Sequence, residues 1–228
     1  MVEALVKLMG EVGVKLELNQ QVSQVIVDKN KARGIRLKSG EEKSADIVVF
    51  DADPPKVYRD LIDARHRSKW SDSRLNRLSF SMGLFVWYFG TSRTYPDVEH
   101  HTIIMGRAFK ELLKDIYDRK VLSDDLSLYL HRPAATDSNM APRDKDAFYV
   151  LAPVPNKLAK INWQEAGERI CAQVQAQLEQ TLLPGLGDCL EVSHFVTPDD
   201  FEGKFNTCLL YTSPSPRDLS TSRMPSSA

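Results

Sequence analysis

Apolar residues open the chain at helical spacing. Val2, Leu5, Val6, Leu8, Met9 and Val12 mark one stripe, and Gly10 and Gly13 sit where a helix would stop. The period then shortens to two: Val14, Leu16 and Leu18 alternate with Lys15 and Glu17, which predicts a short strand turned by Asn19. Val22, Val25, Ile26 and Val27 predict the next strand, residues 28–31 a hairpin loop, and residues 34–37 the returning strand before a turn at Ser39-Gly40. A charged loop over residues 38–43 leads into the stretch that organises this half of the chain, residues 45–55. At its centre, Ile47, Val48, Val49 and Phe50 form a run apolar on both faces, so a buried strand is predicted. Pro54 and Pro55 forbid its continuation and hold Asp53 extended. A strand tip ending in small and acidic residues is where open α/β sheets place ligands.

Beyond residue 55 the pattern changes. Val57, Tyr58, Leu61 and Ile62 predict a helix, and residues 65–77 are polar and basic. Residues 80–90 are aromatic and apolar on both faces, which predicts a strand of a second sheet that needs cover on both sides. In the next strand His101, Ile103 and Met105 alternate with Thr102 and Ile104. Phe109, Leu112, Leu113 and Ile116 mark an amphipathic helix over residues 109–117. Residues 127–133 and 147–155 read as strands, and the loop signals Thr136-Asp137 and Ala141-Pro142 between them predict an antiparallel pair. Ile170, Val174, Leu178, Leu182 and Leu183 stripe a long helix over residues 163–183, N-capped by Asn162 and ended by Pro184-Gly185. A strand over residues 190–196 follows, and then a turn or helix from Thr197.

Composition narrows the function classes. A hydrophobic share of 42% and a charged share of 27% match a globular chain with a core. A net charge of −1 argues against a broad nucleic-acid footprint, which needs many unpaired cations, so no nucleic-acid partner is expected. Cys171, Cys189 and Cys208 show no paired or metal-type spacing and read as reduced thiols of a cytoplasmic protein. No apolar run is long enough to span a bilayer.

The order of segments carries a resemblance. Residues 13–26 (Gly-Val-Lys-Leu-Glu-Leu-Asn-Gln-Gln-Val-Ser-Gln-Val-Ile), then Gly-Ile-Arg-Leu, Ala-Asp-Ile-Val-Val and Ala-Asp-Pro, are similar to the amine-oxidase and carotenoid-desaturase superfamily of flavoproteins. Further on, Phe-Val-Trp-Tyr-Phe-Gly, His-His-Thr-Ile-Ile-Met-Gly, Ser-Leu-Tyr-Leu-His-Arg-Pro, Tyr-Val-Leu-Ala-Pro-Val-Pro, Leu-Pro-Gly-Leu and Thr-Pro-Asp-Asp-Phe occur in one order. Together they resemble bacterial-type phytoene desaturase across residues 1–205. The resemblance implies an α/β fold: part of an FAD-binding two-dinucleotide-binding-type domain, plus a mixed or antiparallel β-sheet substrate domain with helices. The implied division is 1–56 for the adenine side of the FAD domain, 57–196 for a substrate and membrane domain, and 197–207 for the return to the FAD domain. It implies FAD as cofactor, a long polyene hydrocarbon as substrate, and peripheral membrane contact by a cytoplasmic enzyme. The number of desaturation steps and the electron acceptor are not implied by any motif. No Gly-x-Gly-x-x-Gly occurs, Gly10, Gly13 and Gly34 being wrongly spaced, so an interior fragment with an internal Met1, inactive by itself, is expected. Two alternatives stay open: a retinol saturase-like or amine-oxidase-like flavoenzyme, and a non-enzymatic binder of apolar ligands.

The composition breaks at Cys208, where a Ser/Pro-rich tail begins. Back-translation of residues 208–218 and 222–228 resembles a transposase-type sequencing adapter, so residues 208–228 are expected to be translated adapter and are excluded from the fold.

Candidate site residues follow from the resemblance. The backbone of Val22 is expected at the adenine edge of FAD, and Ala52, Asp53 and Pro54 near the flavin. Phe85 and Trp87, within the aromatic run, and His101 and His131 are expected to line an apolar substrate tunnel. The cofactor carries the redox chemistry, and no residue is singled out as catalytic. No metal site is expected: adjacent His100 and His101 on a strand would point to opposite faces, and no carboxylate stands at ligand spacing. The helix bearing Leu112, Leu113, Ile116 and Tyr117 beside Lys110 and Lys114 is a weaker candidate for membrane contact than for core packing.

Overall fold

A computed structural model of the chain describes residues 1–78 and 80–205. The adapter-like tail lies outside these residues. The chain divides into two compact units, Met1–Arg77 and a second that begins at Leu78.

The first unit opens with helix α1 (Val2–Glu11), as its period requires, but none of its residues is buried. Strands β1 (Val22–Asp28), β2 (Lys31–Leu37) and β3 (Glu42–Ser44) form an antiparallel meander. The β1–β2 hairpin turns through Lys29 and Asn30, both with positive φ, the geometry whose twist matches the flanking strands. Gly34 has φ +152°, and a Cβ there would collide with the carbonyl of Lys43, so β2 and β3 approach closely only because this position is glycine. Strand β3 lies inside the stretch expected to be a charged loop. Arg36 and Glu42, paired across β2 and β3, form a 2.7 Å ion pair there, so a charged edge reads as loop while pairing as strand.

Two expected strands of this unit are absent. Residues 14–18 form no strand, and Leu18 is exposed. Residues 47–50 are not paired into a sheet: Ile47 is 79% and Val49 84% exposed, while Val48 and Phe50 turn inward. The run has the composition of a buried strand, but among the described residues no strand pairs with it. Pro54 and Pro55 start α2 (Pro54–Lys56), which continues as a π-helical turn (Val57–Leu61), in agreement with the predicted helix. A short helix α3 (Asp72–Leu75), capped by the Ser71 side chain, closes the unit.

The second unit follows its sequence pattern closely. Strands β4 (Gly83–Thr91), β5 (His101–Ile104), β6 (Leu128–His131), β7 (Asp146–Val154) and β8 (Leu190–Val196) form one antiparallel sheet in the order β5-β6-β7-β4-β8. Nine consecutive pairs join β4 to β7, from Gly83 with Val154 to Thr91 with Asp146. Helix α4 (Phe109–Lys114), extended by a π-helical turn (Asp115–Arg119), connects β5 to β6 and buries Leu112 and Ile116, while Phe109 and Tyr117 stay exposed. Helix α5 (Trp163–Thr181) is the element on which the core is built. The Asn162 side chain accepts a hydrogen bond from the Gln164 N–H, and the buried stripe Trp163, Ala166, Ile170, Val174 and Leu178 joins Phe85, Trp87, Phe89, Leu130 and Val150 in one core. Gly167 admits Phe195: a Cβ there would stand 2.6 Å from its ring. Short helices α6 (Leu186–Cys189) and α7 (Pro198–Phe205) flank β8.

Candidate functional site

Alternation along the strands sorts the second unit's sheet into two faces. Phe85, Trp87 and Phe89 of β4, Phe148 and Val150 of β7, and Leu128 and Leu130 of β6 face the core. Phe85 and Trp87 are fully buried there, and the Trp87 indole donates to Ser193 Oγ at 2.8 Å. Both therefore face the core and not the open side of the sheet: a continuous apolar run hides which alternate residues point inward, and the phase here sends these two toward α5.

The opposite face carries a row of rings. Cross-strand pairing places His194, Tyr88, Tyr149, His131 and His101 side by side over all five strands. Ring centroids are 5.8 Å apart for Tyr88 and Tyr149, 4.6 Å for Tyr149 and His131, and 5.2 Å for His131 and His101. The neighbouring row places Val86, Leu151, Tyr129 and Ile103 together. The Tyr149 hydroxyl is pushed up to about 12, first by burial and then by its hydrogen bond with Tyr129, so its phenol is neutral at physiological pH. This face is mainly aromatic at its centre.

His100 joins the row from outside the strand. Its Nε2 lies 2.7 Å from His131 Nε2, its Nδ1 meets the Thr136 hydroxyl, and the Tyr129 hydroxyl lies 2.6 Å from His101 Nδ1. One nitrogen from each of His100, His101 and His131 lies within 4.8 Å of the other two. The expectation that His100 and His101 point to opposite faces fails because β5 begins at His101, so strand alternation does not govern His100. His131 is held below the ordinary imidazole range, first by burial and then by the neighbouring His100 and His101. Of the expected tunnel residues, His101 and His131 are brought together on this face. Tyr88, Tyr129, Tyr149 and His194 complete this face, and no motif in the sequence marks them.

In the first unit, Val22 begins β1, an edge strand among the described residues, with Leu37 as its pair. Asp53 is buried at the N-cap position of α2 and makes no side-chain cap hydrogen bond. Ala52 and Pro54 line a cavity of about 300 Å³ with Val25, Val48, Phe50 and Tyr58. Val22 does not line it, so the expected cofactor residues fall in two places within the unit. Beside Val25 on β1 lies a smaller polar cavity of about 140 Å³, lined by Gln24, Arg36, Asp63 and Arg65 among others.

The fold defines the class first: an α/β arrangement with antiparallel sheets, shared with an oxidoreductase from Methanosarcina mazei at a TM-score of 0.60 and 15% identity, over 86% of this chain and 41% of that one. PF1083 from Pyrococcus furiosus shares it at a TM-score of 0.57 and 12% identity, with the same coverage of 86% and 41%. No family model matches the chain. Curated sequences go further. The chain is homologous to the bacterial phytoene desaturases: it is 39% identical over 209 residues to the neurosporene-forming enzyme of Rhodobacter capsulatus, covering 89% of this chain and 40% of that protein. It is 38% identical to the lycopene-forming enzyme of a Paracoccus species, covering 90% and 41%. The chain thus spans about 40% of the length of the curated relatives it matches.

Proposed function

We propose that the chain is part of an FAD-dependent oxidoreductase that desaturates a long polyene hydrocarbon, phytoene or a close relative, in carotenoid biosynthesis. The observation that carries this is the 39% identity to a curated phytoene desaturase across 89% of the chain, through both units. In this reading residues 1–56 belong to the adenine side of the FAD-binding domain, 57–196 to the substrate and membrane domain, and 197–207 to the return toward the FAD domain.

The first unit fits the adenine portion of FAD. The open edge of β1 at Val22 offers backbone groups to the edge of a flat heterocycle, whatever the side chain. Ala52, Asp53 and Pro54 keep the chain compact where it turns from residues 47–50 into α2. No Gly-x-Gly-x-x-Gly stands in the chain, so these residues hold part of the group and not its pyrophosphate. When bound, FAD supplies the electron-pair acceptor for oxidation of a carbon–carbon single bond to a double bond.

The outer face of the second unit's sheet fits a hydrocarbon. A polyene offers nothing to pair with a charge, and Tyr88, Tyr149, Leu151 and Tyr129 present rings and methyl groups without one. A row of tilted rings along a sheet suits an extended hydrocarbon chain, and His101 and His131 close one end of that surface. No helix among the described residues is long and apolar enough to cross a membrane. Exposed Ile103, Met105, Phe109 and Tyr117, on β5 and the segment after it, support peripheral contact with the bilayer that holds such a substrate.

A segment exchange tests the reading. Residues 1–205 replace the matching segment of the Rhodobacter capsulatus enzyme, and the chimera is expressed in cells that accumulate phytoene. The expected result is a flavin-loaded chimera and loss of phytoene to more unsaturated products. A folded, flavin-loaded chimera that leaves phytoene untouched would refute the substrate assignment. A folded chimera without flavin would refute the cofactor assignment.

A further inference from the structure

We propose that His100, His101 and His131 form a binding site for a divalent transition-metal ion of the kind that imidazole favours: zinc, copper or nickel. The inference rests on side-chain geometry and not on the polyene reading. Three elements supply the ligands: the approach to β5, β5 itself and β6, whose pairing sets His101 directly opposite His131. Three nitrogens already lie within 4.8 Å of one another. A tetrahedral ion with metal–nitrogen bonds near 2.0–2.1 Å holds its ligand nitrogens about 3.3 Å apart. The 2.7 Å separation of His100 and His131 must open slightly and the longest separation close, which side-chain torsions achieve.

The surroundings have the form of a metal site's outer shell. His100 and His101 each commit Nδ1 to a hydroxyl, of Thr136 and Tyr129 respectively, and so keep Nε2 for a ligand. At the close approach of His100 Nε2 and His131 Nε2 one ring nitrogen donates to the other, and a cation there serves both nitrogens at once. The group contains no carboxylate, which excludes the oxygen-seeking ions calcium and magnesium. His101 is exposed and provides the entry path. Three imidazoles leave a fourth position open to water or an anion.

The full chain, with cysteines alkylated, is titrated with zinc against a chromophoric chelator and with cobalt(II) as a ligand-field probe. The expected result is one equivalent bound and a cobalt spectrum typical of nitrogen ligands. Loss of the ligands in H100Q/H101Q, or of His131 in H131Q, weakens binding by about 100-fold or more, and Tyr129→Phe weakens it by about 10-fold. The control H66Q/H194Q, which removes the two remaining histidines, binds as the parent does. Circular dichroism confirms that each variant is folded. Absence of a bound equivalent in the parent, or equal weakening in H66Q/H194Q and H100Q/H101Q, would overturn the proposal.

Discussion

Replacing Asp146 by Asn removes one charge and almost no volume from the interior of the second unit. Asp146 is 2% exposed, and its Oδ2 accepts from Arg132 Nε at 3.0 Å and from the Tyr95 N–H at 2.7 Å. Arg132 donates from Nη1 to the Val98 carbonyl at 3.0 Å, and its backbone N–H bonds the carbonyl of His100. The pair therefore ties the end of β6 and the start of β7 to residues 95–98 and to the histidine cluster. In D146N the amide oxygen still accepts from both donors, but it carries no charge, and the guanidinium stays buried without a counter-charge. Breaking a buried pair this way costs about 3–5 kcal/mol, against about 5–15 kcal/mol for a whole domain. Removing both charges in R132M/D146L leaves no buried charge without a partner, only the neutral Tyr95 N–H and Val98 carbonyl, and costs less than D146N because a neutral orphan is cheaper to bury than a charge. Urea unfolding in a W70F background measures both, because the remaining indoles, Trp87 and Trp163, are buried in this unit's core. A D146N loss below about 1 kcal/mol, the range of exposed pairs, would refute the argument. So would a double variant at least as unstable as D146N.

Gly167→Ala sets helix propensity against packing. The methyl gains about 1 kcal/mol of helix preference, but its Cβ would stand 2.6 Å from the Phe195 ring and 3.1 Å from Thr197 Cγ2. Overpacking of about 1–3 kcal/mol wins, so a lower melting temperature is expected, and a rise would show that Phe195 yields freely. The depressed His131 imidazole makes stability pH-dependent in metal-free buffer. The unfolded chain takes up this proton at an ordinary pKa near 6.5 and the folded chain only at lower pH, so the contribution is complete above about 6.5. It is lost as pH falls through the folded value, at no more than about 1.4 kcal/mol per pH unit. Unfolding free energies of parent and H131Q should converge toward acid, and parallel curves would remove His131 as the cause.

The second unit was legible because its central strands β4, β6 and β7 share one core with α5. In β7, every second residue from Asp146 to Val154 is buried, and the run over residues 147–155 already reads as a strand by composition. The Asn162 cap and the stripe of α5 were equally plain. The phase of β4 was not, since consecutive apolar residues carry no alternation, and only the Tyr88 hydroxyl marks the outward side. The ring row and the histidine cluster were invisible for a different reason. They depend on which residue of one strand lies opposite which residue of another, and His101 meets His131 across thirty positions of chain. His100 adds a contact set by where β5 begins, a boundary that composition does not record.

Residues 47–50 show where periodicity stops informing. An apolar run states that burial is favourable, at about 25 cal/mol per Å² of surface, and says nothing of what provides it. Ile47 and Val49 carry that preference at 79% and 84% exposure, and α1 turns Val2, Leu5, Val6 and Leu8 outward at the other end of the same unit. An isolated ten-residue helix is marginal in water, and its stability comes from covering its apolar stripe. The unpaired run and the uncovered stripe thus state the same physical demand, since each leaves apolar surface facing water. The alternation of Val48 and Phe50 toward the 300 Å³ cavity, and of Ile47 and Val49 away from it, shows that the run already keeps strand-like sidedness before any partner is paired to it.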